Sequence, residues 1–209
     1  MRQILCFGDS NTWGLSPETH DRFPWGVRWT SLLQEKVKWE EIRILEEGLC
    51  GRTTVFEDPY RENRNGWKSL PVILETHNPI DGVVLMLGTN DCKSYYKTNA
   101  YQIAKGLERC IDVILKDVPA ERILIVAPLH LGELVWKPEY DLEFDKSSVE
   151  TSKQLYAEYQ KITEKKNIRL LAASDYAKPS EIDQEHLNEE GHEALADAIF
   201  QSLHDMGIL

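Results

Sequence analysis

The sequence predicts an α/β fold in which helices cover both faces of a parallel sheet. Short, nearly continuous apolar runs alternate with longer segments of helical period along the chain. Buried parallel strands joined by helices produce this alternation. The length of 209 residues suits one α/β domain with a single core. No internal repeat or linker-like stretch divides the chain, so we expect one domain over residues 1–209.

Five apolar runs are expected to form the strands. Each has four or five residues rich in Ile, Leu and Val, which is too short for a helix and typical of a buried strand. In chain order, the runs are Ile4–Phe7, Ile42–Leu45, Val83–Leu87, Ile123–Ala127 and Ile168–Leu171.

Five longer segments with helical spacing of apolar residues lie between and after these runs. They are Val27–Lys38, Trp67–His77, Ala100–Lys116, Ser148–Lys165 and Asn188–His204. The last is the best defined, because Asn188 is a good N-cap and two glutamates occupy the positive first turn. Gly207 stands just beyond its expected end as a stop signal.

The charge balance and the cysteines bear on partners and location. A formal net charge of −11 disfavours binding to phosphate backbones, so we expect no nucleic-acid partner. No apolar run approaches the roughly 18 residues of a membrane helix, and the N-terminus lacks the architecture of a signal peptide. The four cysteines show neither a CxxC pair nor zinc-like spacing. We therefore expect a cytoplasmic protein with reduced thiols and no membrane partner.

Polar and glycine-containing segments follow the first three predicted strands. They read Gly8-Asp9-Ser10-Asn11, Gly48-Leu49-Cys50-Gly51-Arg52 and Gly88-Thr89-Asn90-Asp91. The carboxyl ends of parallel strands open onto the binding crevice of such a sheet, so the three segments should converge at one edge. A fourth segment, Asp183-Gln184-Glu185-His186, precedes the last predicted helix.

These segments contain every group that acyl transfer through a serine requires. A serine hydroxyl becomes a good nucleophile when a base accepts its proton, and Ser10 and His186 are the candidates. Asp183, three residues before His186, can hold the imidazole in one tautomer. Backbone N–H groups at Ser10 and Gly51, together with the Asn90 amide, are candidates for an oxyanion hole.

The four segments resemble the conserved blocks of the SGNH (GDSL) hydrolase family. GDSN matches block one, the Gly51 segment block two, GTND block three and D-x-x-H block five. The runs Glu46–Thr54 and Met86–Asp91 are similar to the arylesterase/acyltransferase branch. The resemblance implies a flavodoxin-like, three-layer α/β/α fold with a five-stranded parallel sheet. It also implies hydrolysis of esters or thioesters with short acyl chains, acyl transfer as a side activity, and a homo-oligomer.

The sequence departs from related patterns in two ways. The first block reads GDSN rather than GDSL, a variant that leaves the nucleophile Ser10 in place. The pentapeptide G-x-S-x-G is absent, which argues against the nucleophile elbow of an ordinary α/β-hydrolase.

Two long connections rich in aromatic residues follow the first and fourth predicted strands. Trp13 lies in the first connection and Trp136 in the second, and either indole can line a pocket or a contact between subunits. His130 lies in the segment after the fourth strand, where the pocket wall is expected. Trp13, His130 and Trp136 are therefore the candidate contacts for a small-molecule ester substrate.

Two other functions fit part of the pattern. A metal-dependent phosphoesterase would ligate two metals through Asp, Asn and His near strand ends, but the six histidines are scattered. A flavodoxin-like binding protein would cradle the FMN phosphate in Gly8–Thr12, where Asp9 would repel it. Both functions leave Asp183 and His186 without a role. We therefore expect a serine esterase with no cofactor and no metal.

Overall fold

A single sheet of five parallel strands forms the centre of the computed structural model, which describes all residues, Met1–Leu209. The strands are β1 Arg2–Gly8, β2 Ile42–Gly48, β3 Gly82–Met86, β4 Ile123–Ala127 and β5 Arg169–Ala172. Their order in the sheet is β2-β1-β3-β4-β5, and every neighbouring pair is parallel. All five predicted strands are present, with ends that differ from the prediction by a few residues.

Six helices connect and follow the strands. They are α1 Ser10–Trp13, α2 Trp29–Lys36, α3 Gly66–His77, α4 Ala100–Ile114, α5 Lys146–Lys166 and α6 Glu189–Asp205. As predicted, Asn188 caps α6, with its side chain accepting a hydrogen bond from the Gly191 N–H. Helix α1 was not predicted, because four residues are too few to show a helical period. None of the six helices combines the length and the hydropathy that a membrane span requires.

Alternating residues of the strands pack into two hydrophobic cores, one on each face of the sheet. On β1, Leu5 and Phe7 pack into the core covered by α3, α4 and α5, whereas Ile4 and Cys6 pack into the core covered by α2 and α6. Each of these side chains is fully buried, and such burial contributes roughly 1.5–3 kcal/mol per large apolar side chain. The predicted three-layer α/β/α fold is therefore confirmed.

Polar contacts explain where two helices begin. Arg28 has extended backbone (φ −64°, ψ 139°), and its guanidinium reaches Glu46 near the end of β2 at 2.9 and 3.1 Å. Helix α2 therefore begins later than the predicted Val27. Helix α5 begins earlier than predicted, because Asp145 and Ser148 form a capping box ahead of it.

The strand order places a crevice beside β1. The chain passes from β1 to β2 on one side and then returns to β3 on the other side of β1. The segments that follow β1 and β3 therefore leave the sheet in different directions. In open parallel sheets, ligands bind outside the carboxyl ends of the strands at this kind of switch point.

Candidate active site

Ser10 opens the short helix α1, which follows strand β1 between β2 and β3 of the sheet. Asp9 caps this helix, with Oδ1 accepting a hydrogen bond from the Asn11 N–H at 3.1 Å. Gly8 permits the close turn, because a β-carbon at this position would lie 2.0 Å from the Thr12 hydroxyl oxygen. Ser10 thus lines a cavity at the carboxyl end of β1.

The Ser10 hydroxyl, the His186 imidazole and the Asp183 carboxylate form a continuous chain of hydrogen bonds. Ser10 Oγ lies 2.8 Å from His186 Nε2, and His186 Nδ1 lies 2.7 Å from Asp183 Oδ2. When Nδ1 donates its proton to Asp183, Nε2 is left to accept a proton from Ser10. The structure therefore brings together the three side chains for which the sequence predicts the roles of nucleophile, base and orienting carboxylate.

The second oxygen of Asp183 builds the turn that carries His186. Oδ1 accepts hydrogen bonds from the backbone N–H groups of Glu185 and His186, both at 3.0 Å. Gln184 adopts a φ of 65°, in the left-handed region, which keeps the turn short. The three-residue spacing of the D-x-x-H pattern thus lets one carboxylate bind the backbone and the imidazole together.

Asn11 ties the serine segment to the histidine segment, a role that the sequence analysis did not assign. Its Oδ1 accepts a hydrogen bond from the Leu187 N–H at 3.0 Å, and its Nδ2 lies 3.5 Å from the Glu185 carbonyl oxygen. The side chain is 3% exposed. These buried contacts fix the position of His186 relative to Ser10. In the sequence, the one indication of this role is an amide side chain directly after the candidate nucleophile.

Gly51 and Asn90 line the same cavity as Ser10. The backbone N–H groups of Ser10 and Gly51 donate to no backbone acceptor, and Gly51 has a φ of 81° that suits only glycine. One hydrogen of the Asn90 amide bonds to the Arg52 carbonyl at 3.2 Å, which leaves the second hydrogen free. Three donors without a protein acceptor therefore belong to residues that line the cavity, and such donors can stabilise an oxyanion.

Asp91 braces the loop that carries Gly51. Both of its carboxylate oxygens accept the Thr54 N–H at 3.0 Å, and Oδ1 also accepts the Thr54 hydroxyl. Burial raises the pKa of Asp91 to about 7, even though these hydrogen bonds favour the ionised form. The segments after β2 and β3 are thereby held together behind the cavity.

The cavity beside Ser10 has a volume of about 120 Å³ and a charged lining. Its charged side chains besides His186 are Arg61, Lys93, Asp141, Glu143 and Glu185. Lys93 is buried and forms an ion pair with Glu143. A larger hollow of about 760 Å³ lies between the segment after β5 and the start of α6, but it contains neither Ser10 nor His186.

The charges around His186 set its affinity for a proton. Burial alone would lower the pKa of His186, but the negative charges of Glu185 and Asp183 outweigh burial and raise it to about 9. Burial works against ionisation of Asp183 too, yet the hydrogen bond from His186 keeps its pKa below the usual value. The free imidazole therefore holds a proton at neutral pH and becomes a base as the pH rises.

Three residues that we expected to contact the substrate do not line this cavity. Trp13 ends α1, where the Arg22 guanidinium lies 5.5 Å from the centre of its ring. Trp136 donates its Nε1 hydrogen to the Glu133 carbonyl at 2.9 Å and packs against the hydrophobic core. His130 is exposed outside the cavity. Neither indole therefore forms part of the wall beside Ser10.

The charged lining of the cavity was not predicted. Asp141 and Glu143 belong to the long connection after β4, which docks onto the segment after β3 through a 2.8 Å hydrogen bond from the Ser94 N–H to the Glu143 carbonyl. Sequence patterns do not show such docking between loops. For Glu185, the only signal was its place between Asp183 and His186.

Comparison with known families agrees with this geometry. The model of the GDSL-like lipase/acylhydrolase family matches residues 6–194. The chain belongs to this family. The resemblance that the sequence motifs predicted is therefore confirmed, and this GDSL acylhydrolase is a carboxylic ester hydrolase.

Solved structures similar to this GDSL acylhydrolase include two esterases. A carbohydrate acetylesterase from Sinorhizobium meliloti is 34% identical, with a TM-score of 0.89 over 99% of this chain and 100% of that chain. The aryl esterase of M. smegmatis is 29% identical, with a TM-score of 0.88 over 99% of this chain and 100% of that chain. A G-D-S-L family lipolytic protein from Veillonella parvula, at 16% identity and a TM-score of 0.71 over 98% and 99%, shares the fold. Comparison with curated proteins gave no match.

Proposed function

We propose that the enzyme hydrolyses short-chain carboxylic esters through a Ser10–His186–Asp183 triad and a covalent acyl-enzyme. The observation that carries this proposal is the 2.8 Å contact between Ser10 Oγ and His186 Nε2, with Asp183 bound to the other ring nitrogen. A serine with its base in hydrogen-bond reach, and the base oriented by a carboxylate, is an activated nucleophile. Substitution of Ser10 and its covalent labelling by an organophosphonate test the proposal.

Acylation begins when Ser10 Oγ attacks the carbonyl carbon of the ester. The hydroxyl proton passes to His186 Nε2 while the new C–O bond forms, and the carbonyl oxygen becomes an oxyanion. The N–H groups of Ser10 and Gly51 and the Asn90 amide stabilise that charge. The tetrahedral intermediate then collapses, Nε2 returns the proton to the leaving alcohol, and the acyl group remains on Ser10.

Deacylation repeats these steps with a water molecule. His186 Nε2 accepts a proton from the water as its oxygen adds to the acyl carbon, and the proton then returns to Ser10 as the carboxylic acid leaves. An alcohol that takes the place of the water would receive the acyl group instead. We therefore include acyl transfer as a side activity.

The lining of the cavity supports an ester with a small acyl group and a polar alcohol. A volume of about 120 Å³ leaves little room for a long acyl chain. The charged groups of Arg61, Lys93 and Glu143 offer donors and acceptors to hydroxyl groups. The similarity to a carbohydrate acetylesterase supports the same conclusion. Acetyl esters of polyhydroxylated alcohols are therefore the substrate class that we propose.

Hydrolysis of p-nitrophenyl esters should slow as the acyl chain lengthens from acetyl to octanoyl. Each added methylene can gain at most about 0.8 kcal/mol by burial, and only while the cavity has room for it. A longer chain must remain in water or displace ion-paired side chains such as Lys93 and Glu143. Initial rates with the same leaving group measure kcat/KM across the series. A steady rise in kcat/KM with chain length would contradict the small polar cavity.

Asn90→Ala should lower kcat by about 10²–10³, or roughly 3–4 kcal/mol, while KM stays nearly unchanged. Charge develops on the carbonyl oxygen only as the tetrahedral intermediate forms, so the amide acts mainly on the transition state. Asn90→Asp should be at least as damaging, because a carboxylate repels the oxyanion. Steady-state kinetics measure both variants, and circular dichroism checks the fold, since the bond to the Arg52 carbonyl is also lost. A change mainly in KM would exclude the oxyanion role.

Two expectations about the cellular state of the enzyme stay predictions. We propose a cytoplasmic location, which the four free cysteines support. We also propose a homo-oligomer. The exposed, edge-to-face pair of Trp25 and Trp39 supports it as a candidate contact surface.

A further inference from the structure

Glu185 presents a second carboxylate to His186, on the side of the ring that faces Ser10. Its Oε1 lies 3.8 Å from His186 Nε2, whereas Asp183 binds Nδ1. The residue is 7% exposed and lines the cavity beside Ser10. The imidazole is its closest positively charged partner. A buried carboxylate in this position has no structural partner that accounts for it.

The other charged groups around Glu185 leave its charge directed at the imidazole. Lys93 is the nearby cation, but it forms its own ion pair with Glu143. Asp141 and Asp183 add negative charge. Burial raises the pKa of Glu185 to about 6, so the carboxylate is ionised at neutral pH and above.

The groups that face His186 from other elements do not duplicate this contact. Asp9, at the end of β1, adds negative charge from a greater distance, and burial raises its pKa to about 6. His192 of α6 is buried, which lowers its pKa to about 3 and keeps it uncharged at neutral pH. Asp183 acts at Nδ1. Glu185 is thus the carboxylate beside Nε2, the atom that receives the proton.

We propose that Glu185 is a positioning residue that acts through His186, stabilising the imidazolium formed when Nε2 takes the Ser10 proton. This inference rests on the proposed triad mechanism. In the step concerned, the O–H bond of Ser10 breaks, the proton bonds to Nε2, and the electron pair on Oγ forms the bond to the acyl carbon. The positive charge that appears on the ring then lies beside Oε1. An opposite charge at this distance favours the charged form of the ring.

The same contact acts on the free enzyme, and this gives the proposal a pH signature. Ionised Glu185 stabilises protonated His186 before substrate binds, so neutral imidazole becomes available only at higher pH. Once the imidazole is neutral, it is a stronger base and accepts the Ser10 proton faster. Glu185 therefore slows the reaction in acid and speeds it in alkali. A residue with a merely structural role would change the rate by one factor at every pH.

The test compares kcat/KM for p-nitrophenyl acetate in wild type and Glu185→Gln from about pH 6 to about pH 10. The acid limb of the profile is the pH range in which kcat/KM falls as His186 takes up a proton. In the variant this limb should lie about one pH unit or more lower, because an opposite charge within hydrogen-bonding range shifts a pKa by roughly one to three units. The variant should be slower than wild type on the alkaline plateau and relatively faster in acid. Glu181→Gln, the same change at an exposed position, should leave the limb in place.

An NMR titration of the His186 ring provides a measurement that needs no substrate. The resonance is assigned by its loss in His186→Ala, and its pKa should fall in Glu185→Gln as the acid limb does. Glu185→Asp keeps the charge and should move the limb back towards wild type. Any of three results would overturn the proposal. The acid limbs of kcat/KM could coincide in Glu185→Gln and Glu185→Asp, the pKa of the His186 ring could stay unchanged in Glu185→Gln, or the variant could lose the same fraction of its rate at every pH. If the protein hydrolysed no test ester, the NMR titration would still show whether Glu185 raises the pKa of His186. The triad mechanism and the role of Glu185 can therefore fail separately.

Discussion

Replacing Ser10 with alanine should lower kcat by about 10⁶-fold and leave the fold unchanged, as loss of the nucleophile does in a serine protease. The nucleophile is lost, and no other hydroxyl is hydrogen-bonded to His186 Nε2. His186→Ala should be nearly as damaging, because Ser10 without its base is an ordinary alcohol. The double variant should be little worse than either single one, since the two residues act as a unit. Steady-state kinetics, with circular dichroism for the fold, measure the three variants.

Covalent labelling gives an independent control on the same residue. A serine-directed organophosphonate should modify Ser10 alone in wild type, which peptide mass spectrometry reads directly. His186→Ala should react much more slowly, because the label also needs an activated hydroxyl. Activity should withstand EDTA, which would remove the metals of a phosphoesterase. Labelling at another serine, or full activity in Ser10→Ala, would end the triad proposal.

Replacing Asp183 with asparagine should lower kcat by about 10⁴-fold, the loss seen for this change in a serine protease. The side-chain carbonyl of the introduced asparagine can still accept the N–H groups of Glu185 and His186 that now bond to Oδ1. Its amide would replace Oδ2 and donate a hydrogen to His186 Nδ1. The ring proton would then sit on Nε2, where it blocks transfer from Ser10. The turn from residue 183 to His186 is therefore kept, but the imidazole has the tautomer that cannot accept the Ser10 proton.

Asp183→Ala separates the two roles of this carboxylate. It removes the turn contacts as well as the contact with the imidazole, so it should lower both stability and activity. Asp183→Asn should lower activity with little change in melting temperature. Kinetics and thermal unfolding of the two variants measure this difference. Near-normal kcat in Asp183→Asn would mean that His186 keeps its tautomer without the carboxylate.

The strands and the D-x-x-H turn could be predicted from the sequence because each depends on local pattern; the catalytic roles of Ser10, His186 and Asp183 stay a prediction. Buried parallel strands need continuous apolar runs such as Ile123–Ala127, and the turn at Asp183 needs its histidine three residues later. The order of the strands then brings Ser10 and His186 to one edge of the sheet. These features require no knowledge of how the loops pack.

The walls of the cavity could not be predicted from the sequence, because they depend on how the loops pack against one another. Trp13 and Trp136 are aromatic residues in connections that follow strand ends, as pocket residues often are, but neither lines the cavity. Trp13 packs beside Arg22 of its own connection, whereas Trp136 packs against the hydrophobic core. Lys93 reaches the cavity because the connection after β4 docks beside it, with Glu143 as its partner. Such placement depends on contacts between segments distant in sequence. A pattern read along the chain does not contain this information.

The hydrogen bond between Ser10 and His186 joins residues 176 positions apart. Long-range contacts of this kind form late in folding, because the loop that they close must be ordered first. Helices such as α4 and α5 can form from local contacts well before that. During refolding, helical circular dichroism should therefore recover ahead of esterase activity. Turnover therefore reports a long-range assembly step, the arrival of the segment before α6 at the end of β1.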